Sequence, residues 1–425
     1  MTPLPSSRTP LNDPPRKTLI RAAINNGMSP LPPVFIFSSS PLALTPPIVP
    51  IPPTPTLISL SPSQLRPQCP AKERLIRWLP LITRNASFPL APSDSQRIYD
   101  VIGHAWAEST KETYGSGLLV YHTFCDLKGI PEASRAPASH ELISTFISNL
   151  AGTYAGSMVT NYLSAVHAWH TIHGLKWSFN SDEIDVLLKA AKTLAPASSK
   201  RSPREPYTID TIIKIRSRLS LTDPLDAAVF ACLTTTFFAT ARTGEFTVKN
   251  LNSFSPDLHV TRNNMSIQRD RQGLKITNFH LPRTKAAPQG EDVNWAKQDG
   301  PADPHHALMN HFDINNTPPN LPLFAYKAKN THRPLTRAKF LKTLEKAAKS
   351  AGISPLKGHG IRIGSTLEYL LRNVPFEVVK VKGRWASDAF LTYLRKHAQI
   401  LAPFMQAKPA VHEAFLQLTI PPIRR

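Results

Sequence analysis

The sequence predicts a mainly α protein with a small β-hairpin or sheet, divided between a helical domain and a mixed α/β domain. Apolar residues recur at helical spacing through residues 93–195 and again from residue 207. Residues 258–268 and 273–285 instead alternate apolar and polar side chains, as β-strands do, around a polar turn at residues 269–273. Between the helical regions, residues 196–206 (PASSKRSPREP) are basic and without apolar periodicity, which is typical of a linker.

The N-terminal segment is dominated by proline. Residues 1–92 contain 21 of the 42 prolines of the chain. Because proline fixes φ and lacks a backbone donor, such a segment cannot sustain helix or sheet ladders. We therefore expect a disordered or polyproline-like leader over residues 1–92, with a docking tail as the alternative. The same prolines interrupt the most apolar early segment, so the sequence predicts neither a spanning helix nor an export signal.

Both predicted domains are built from short amphipathic segments. The first, over residues 93–195, should contain helices at residues 93–106, 109–129, 139–152, 157–174 and 181–195. The second, over residues 207–405, should place the two strands among helices at residues 207–220, 224–246, 301–316, 335–352, 359–373, 375–384 and 387–401. Residues 406–425 form a tail.

Charge and cysteine content restrict the class of protein. Fifty Lys and Arg against 29 Asp and Glu give a formal net charge of +21, which favours a polyanionic partner such as nucleic acid. Cys69, Cys125 and Cys232 are far apart and show no metal-ligand spacing, so we expect no metal site and a reducing, intracellular environment.

Four separated stretches carry residues suited to phosphate chemistry. Two guanidiniums can hold the oxygens of a phosphate under attack, a lysine can protonate a leaving 5′ oxygen, and a histidine can take up a proton. A tyrosine hydroxyl can form a reversible phosphotyrosyl bond that needs neither ATP nor a metal. The stretches are ARTGEF (Arg242 and Glu245), LPRTK (Lys285), HGIR (His359 and Arg362) and GRWASDAFLTYLR (Trp385 and Tyr393).

In this order the motifs resemble those of the tyrosine recombinase, or phage-integrase-like, family. The sequence of the last stretch is especially similar to the corresponding sequences of recombinases of fungal mobile elements. The resemblance covers about three quarters of the chain. It implies a helical (SAM-like) core-binding domain followed by a catalytic domain. It also implies the roles of the residues: a phosphate clamp (Arg242, Arg362), an acid (Lys285), an acid/base (His359), the His/Trp position (Trp385), a nucleophile (Tyr393) and an acidic support (Glu245).

Each motif also has a structural interpretation. Arg242 could stabilise a helix end, Trp385 could be a core residue, and Tyr393 could pack inside an amphipathic helix. Tyr369 is a competing tyrosine, although its LEYLL context favours the core, and His397 could touch the same phosphate or only shield a helix end. The interval from Trp385 to Tyr393 is eight residues, where many family members have nine.

A second set of residues is predicted to contact duplex DNA. Basic and aromatic side chains are interleaved on the helices of the first domain, a common arrangement for backbone contacts, and the basic linker could follow a phosphate-lined edge. The candidates are Lys111, Tyr162, His170, Lys200, Arg201 and Arg204.

The leading hypothesis is a DNA recombinase that acts through a covalent 3′-phosphotyrosyl intermediate, without cofactor, metal or small-molecule substrate. Its expected partners are double-stranded DNA and, by resemblance, three further copies in a tetramer, and the expected location is the nucleus. A catalytically inactive, element-derived DNA-binding protein is the first alternative. A tyrosine-type topoisomerase is the second, and the order of HxxR and GRW disfavours it.

Overall fold

The computed structural model describes residues 60–81, 91–200, 202–354, 356–386, 391, 395 and 397–405. Two compact units divide the chain, Met1–Lys200 and Arg201–Arg425. The division falls inside the linker predicted at residues 196–206. Helices with small antiparallel sheets make up the described residues, so the predicted fold class is confirmed.

The first unit is helical. Its helices are α1 (Arg74–Arg77), α2 (Pro92–Gly103), α3 (Glu108–Leu127), α4 (Glu132–Arg135), α5 (His140–Leu150), α6 (Gly156–Ile172) and α7 (Ser181–Thr193). The five predicted helices correspond to α2, α3, α5, α6 and α7. Side-chain caps fix two of the starts, since Ser139 accepts from Leu142 N–H and Asn180 from Asp182 N–H.

Residues 60–81 differ from the predicted leader because they pack into the core of this unit. Leu75 and Trp78 are 1% and 2% exposed. Trp169 on α6 donates its indole N–H to the Trp78 carbonyl at 2.7 Å. Arg66 is buried and paired with Glu132. The apolar and ionic partners of this segment lie far along the chain, and their burial outweighs the local influence of proline.

The second unit surrounds a helix that is buried on every side. Its helices and strands, in order, are α8 (Ile209–Arg216), α9 (Pro224–Phe238), β1 (Met265–Arg269), β2 (Lys275–Leu281), β3 (Glu291–Ala296), α10 (Pro304–Asn315), β4 (Tyr326–Ala328), β5 (Thr331–Arg333), α11 (Arg337–Ser350), α12 (His359–Leu371), α13 (Phe376–Lys382) and α14 (His397–Leu401). From Ala227 to Phe238 every residue of α9 is buried, which explains its continuous apolar sequence.

A three-stranded antiparallel sheet of order β1-β2-β3 carries one edge of the candidate site. Phe279 on β2 is opposite Val293 on β3, and both point into the core. Leu281 is opposite Glu291, so the end of β2 and the start of β3 are held side by side. β1 begins at Met265, later than the strand predicted from residue 258, and β3 is the third strand of the predicted hairpin or sheet.

Candidate active site

Arg242 follows the C-terminal end of α9. Thr240, two residues earlier, has a φ of 51°, in the left-handed region that residues other than glycine seldom adopt. Glu245 accepts from the backbone N–H of Arg242 at 2.8 Å and from its guanidinium at 2.9 Å. The Arg242 side chain keeps 35% of its surface exposed. The cation is therefore fixed by Glu245 while it remains accessible to solvent.

Arg362 lies in the first turn of α12 and is 1% exposed. Its Nη1 donates to the Thr240 carbonyl at 2.9 Å, and its Nη2 donates to the Gly383 carbonyl. The Trp385 ring covers the guanidinium, with its centroid 4.3 Å from Cζ. Gly383 permits this cover, because a Cβ there would lie 1.5 Å from the ring. Trp385 thus holds the second arginine of the predicted pair.

His359 is the first residue of α12 and is half-buried. Burial lowers the pKa of its imidazole, and the nearby cations Arg204, Arg362, Arg242 and Arg337 lower it further. The ring is therefore biased towards its neutral form, which can accept a proton. His359 lies one turn before Arg362 on α12, and a Cβ at the preceding Gly358 would lie 3.3 Å from the side chain of Thr243, the neighbour of Arg242.

Lys285 is exposed and lies in a short turn directly after β2. The Thr284 backbone N–H donates to the Ala287 carbonyl at 3.0 Å, and the Ala287 N–H donates to Thr284 Oγ1 at 3.0 Å. Thr284 Oγ1 in turn donates to the Glu291 carboxylate at the start of β3. The lysine is thus carried by a turn that is anchored on both sides.

Arg384 is a member of the site that the sequence analysis missed. Its Nη1 donates to Glu291 at 2.6 Å and its Nη2 to Glu245 at 2.6 Å. The side chain is 10% exposed, and the backbone φ is 58°. Arg384 is the arginine of the GRW motif, so the motif marks its position. Its role could not be predicted, because its two partners lie 93 and 139 residues away in the sequence.

The predicted nucleophile, Tyr393, lies outside the described residues, so its position and the eight-residue interval from Trp385 stay predictions. The competing Tyr369 donates its hydroxyl to the Phe238 carbonyl at 2.8 Å. Burial raises the pKa of the Tyr369 hydroxyl to about 12. A phenol with so high a pKa and a satisfied donor is a structural residue rather than a nucleophile. The side chain of His397 also lies outside the described part of the chain.

His170, predicted to contact DNA, is a core residue with 0% exposure. Its Nε2 accepts from the Ala138 N–H at 3.0 Å, and its Nδ1 donates to the Val166 carbonyl at 2.8 Å. Burial lowers the pKa of the imidazole to about 4. The prediction for His170 is wrong because the ring is uncharged and fully enclosed, so it cannot meet a phosphate.

The remaining predicted DNA contacts occupy surface or half-buried positions. Lys111 is paired with Glu108 at 2.5 Å. Tyr162 packs edge-on against Tyr154, with ring centroids 5.6 Å apart, and burial raises the pKa of its hydroxyl. Lys200 and Arg204 are exposed, and Arg201 lies outside the described residues. Their contacts with DNA stay predictions.

Two further properties of the described residues concern metal binding and membrane-spanning helices. No group of three His, Cys, Asp or Glu side chains within them could hold a metal ion. No described helix combines the length and apolar character that crossing a membrane requires.

No family model and no curated protein matches the sequence. Among solved structures, the chain is similar to the site-specific recombinase XerH in its post-cleavage complex with difH DNA, at 14% identity and a TM-score of 0.47, over 77% of this chain and 85% of that one. It is also similar to a λ integrase fragment dimer bound to a core site, at 13% identity and a TM-score of 0.37, over 71% and 94%. A third match is the Flpe–Holliday junction complex, at 14% identity and a TM-score of 0.31, over 77% and 82%.

Proposed function

We propose that this protein is a tyrosine-type DNA recombinase that cleaves and rejoins DNA through a covalent 3′-phosphotyrosyl intermediate. One observation carries the proposal: at the ends of α9, α12 and α13, Arg242 comes together with His359, Arg362 and Trp385, which lie more than 100 residues further along the chain. Each belongs to the set that the ordered sequence motifs single out. Such a gathering of cations around a neutral histidine suits attack on a phosphodiester.

In the proposed cleavage step the Tyr393 oxygen bonds to phosphorus as the bond from phosphorus to the 5′ oxygen breaks. His359 takes the tyrosyl proton, a role that its lowered pKa supports, because the neutral ring is available near pH 7. Lys285 supplies a proton to the departing 5′ oxygen. Rejoining reverses these transfers, so the bond energy is conserved in the phosphotyrosyl link.

The two guanidiniums would act from different depths. Arg242 is the accessible cation, and its geometry is fixed by Glu245. Arg362 is covered by Trp385 and engaged with two backbone carbonyls, so its charge would act from the wall of the site. Charges fixed in this way stabilise the extra negative charge of the transition state, because they need not reorganise during the reaction.

We further propose double-stranded DNA as the substrate and a homotetramer as the assembly on DNA. The net charge of +21 supports the first. The tetramer and an origin in a mobile element rest on the resemblance of the motifs to tyrosine recombinases, and a nuclear location rests on DNA as the proposed substrate.

The test is a covalent-adduct assay with nicked, random-sequence duplex DNA, in which a short fragment diffuses away after cleavage and traps the protein. We expect a protein–DNA adduct with the wild type, and none with Tyr393→Phe, which lacks only the hydroxyl oxygen. Sequencing the trapped ends reports the cleavage site. An equal adduct with Tyr393→Phe, or no adduct with the wild type, would contradict the proposal.

A DNA-binding protein that has lost cleavage is the second candidate. The deep burial of Arg362 favours it, because a guanidinium that is 1% exposed has little surface with which to meet a phosphate. The same assay separates the two candidates: retarded migration of DNA without any covalent adduct would identify the inactive binding protein.

A further inference from the structure

A continuous series of hydrogen bonds connects the turn that carries Lys285 with Arg242. We propose that Arg384 is the positioning residue of this series. Through the series it fixes the position of the candidate general acid, Lys285, relative to the candidate phosphate-binding arginine, Arg242. The inference rests on the proposed function and assigns Arg384 a role through other residues, without contact with DNA.

At the centre of the series, one guanidinium connects two carboxylates. The two η nitrogens of Arg384 each bind a different glutamate, Glu291 and Glu245, both at 2.6 Å. All three side chains are largely enclosed, with exposures of 10%, 19% and 7%. Charge-assisted hydrogen bonds of this length in a poorly solvated place are strong and directional.

On one side the series ends at the lysine. Glu291 accepts from the Thr284 hydroxyl as well as from Arg384. The same hydroxyl accepts the backbone N–H of Ala286 at 3.3 Å and of Ala287 at 3.0 Å. Lys285 lies between these anchored residues, so a displacement of Glu291 would displace the backbone from which the lysine extends.

On the other side the series ends at the arginine. The Glu245 oxygen that accepts from Arg384 also accepts the backbone N–H of Arg242. The other oxygen accepts the Arg242 guanidinium at 2.9 Å. Arg384 therefore fixes the carboxylate that orients Arg242, while Glu291 transmits the same constraint to Lys285.

The geometry requires an arginine at this position. Its planar guanidinium binds two acceptors along fixed directions, whereas a lysine ammonium would act as a single point charge between them. The left-handed backbone of Arg384, with a φ of 58°, is further evidence that this direction is imposed, because such a conformation persists only where the surroundings hold it.

The chain offers a matched control. Lys382, two residues earlier, also connects this segment to β3, since its Nζ donates to the Asn294 carbonyl at 3.0 Å. Among the described hydrogen bonds, none joins Lys382 to a residue of the series. Lys382→Gln therefore removes a contact to the same strand without disconnecting Lys285 from Arg242.

The test compares cleavage of two substrates that share the site sequenced from the wild-type adduct. One is ordinary DNA, and the other carries sulfur in place of the bridging 5′ oxygen. A thiolate leaves without being protonated, so the second substrate does not need a positioned acid. In Arg384→Gln and Lys285→Ala we expect cleavage of ordinary DNA to fall by about 100-fold, the effect of a misplaced catalytic group. Cleavage of the sulfur substrate should stay within a few-fold of the wild type in Lys285→Ala. In Arg384→Gln it should fall less than cleavage of ordinary DNA, because Arg242, which Glu245 orients, serves both substrates.

The ratio of the two rates is the deciding quantity. Both substrates are given to one preparation, so a partly unfolded variant lowers both rates equally and leaves the ratio unchanged. Arg384→Lys should behave like Arg384→Gln, and Lys382→Gln like the wild type. Equal losses on both substrates, or no loss with Arg384→Gln, would overturn the inference while the wild-type adduct upholds the proposed function. If the wild type forms no adduct on either substrate, the proposed function fails and the inference fails with it.

Discussion

At the scale of single residues, the site depends on Glu245, whose carboxylate is nearly enclosed between two arginines. Burial alone would raise the pKa of this carboxyl, but Arg384 and Arg242 outweigh burial and hold the pKa below its ordinary value of 4.5. The ionised form is thus the stable one near neutral pH. Its charge compensates two cations that would otherwise repel each other.

We predict that Glu245→Gln lowers the free energy of unfolding by about 3 kcal/mol at pH 7, because a buried pair loses one partner while its cations remain. Urea unfolding followed by circular dichroism measures the change. The control is Glu345→Gln, in an exposed pair with Lys349, which should leave the urea midpoint unchanged. An unchanged midpoint in Glu245→Gln would show that the enclosed carboxylate does not stabilise the unit.

The difference between the wild type and Glu245→Gln should depend on pH. A carboxyl whose pKa is lower in the folded state stabilises that state above its ordinary pKa, and this contribution is lost as the pH falls through the folded pKa. The two proteins should therefore converge in stability below pH 4.5, the ordinary pKa of a glutamate. A difference that stays constant as the pH falls well below 4.5 would contradict the ion-pair explanation.

At the scale of elements, segment 60–81 is held against α3 by a close backbone approach. A Cβ at Gly115 would lie 1.7 Å from the Ala71 carbonyl oxygen. Arg74 donates to the Gly115 carbonyl at 3.1 Å, and its guanidinium lies over the Trp78 ring at 5.2 Å from the centroid. Gly115 on α3 is thus the point at which this segment contacts the helix.

We predict that Gly115→Ala displaces segment 60–81 and lowers the free energy of unfolding by about 2 kcal/mol. The steric effect should exceed the roughly 1 kcal/mol that alanine gains over glycine inside a helix. Limited trypsin digestion should then cut at Lys72, Arg74 or Arg77 earlier than in the wild type. Ser116→Ala, at the exposed neighbouring position, is the control. Unchanged digestion of Gly115→Ala would contradict the docking of this segment.

The same segment indicates what the sequence could and could not predict. Helices α2, α3, α5, α6 and α7 follow from apolar spacing alone, because their amphipathic pattern is local. The docking of Trp78, the burial of His170 and the bridge made by Arg384 depend on partners from 32 to 139 residues away, which no local pattern encodes. The motifs identified Arg242, His359 and Arg362 individually, whereas their gathering required the fold.

At the scale of the whole molecule, we expect acid to destabilise the first unit more than the second. Three of the four fully buried histidines among the described residues, His122, His170 and His173, lie in the first unit, and the fourth, His311, lies in the second. His122, His170 and His173 surround Trp169, with ring centroids 5.1–5.9 Å from its indole. Burial lowers the pKa of His170 and His173 to about 4 and that of His122 well below its ordinary value. These rings stay neutral in the folded unit under conditions where they would be charged in the unfolded chain.

The sign of the resulting pH dependence follows from linkage. As the pH falls below 6.5, the unfolded chain takes up protons that the folded unit does not bind until about pH 4, so stability decreases over this window. From pH 7 to pH 5 we predict a loss of about 2 kcal/mol per buried histidine.

Urea midpoints from tryptophan fluorescence measure this loss of stability, since four of the six tryptophans belong to the first unit. His170→Gln should reduce the loss by about one histidine's share, whereas His104→Gln, at an exposed position, should not. Equal midpoints at pH 7 and pH 5 in the wild type would show that these rings are protonated in the folded unit, and that Trp169 packs against charged rather than neutral imidazoles.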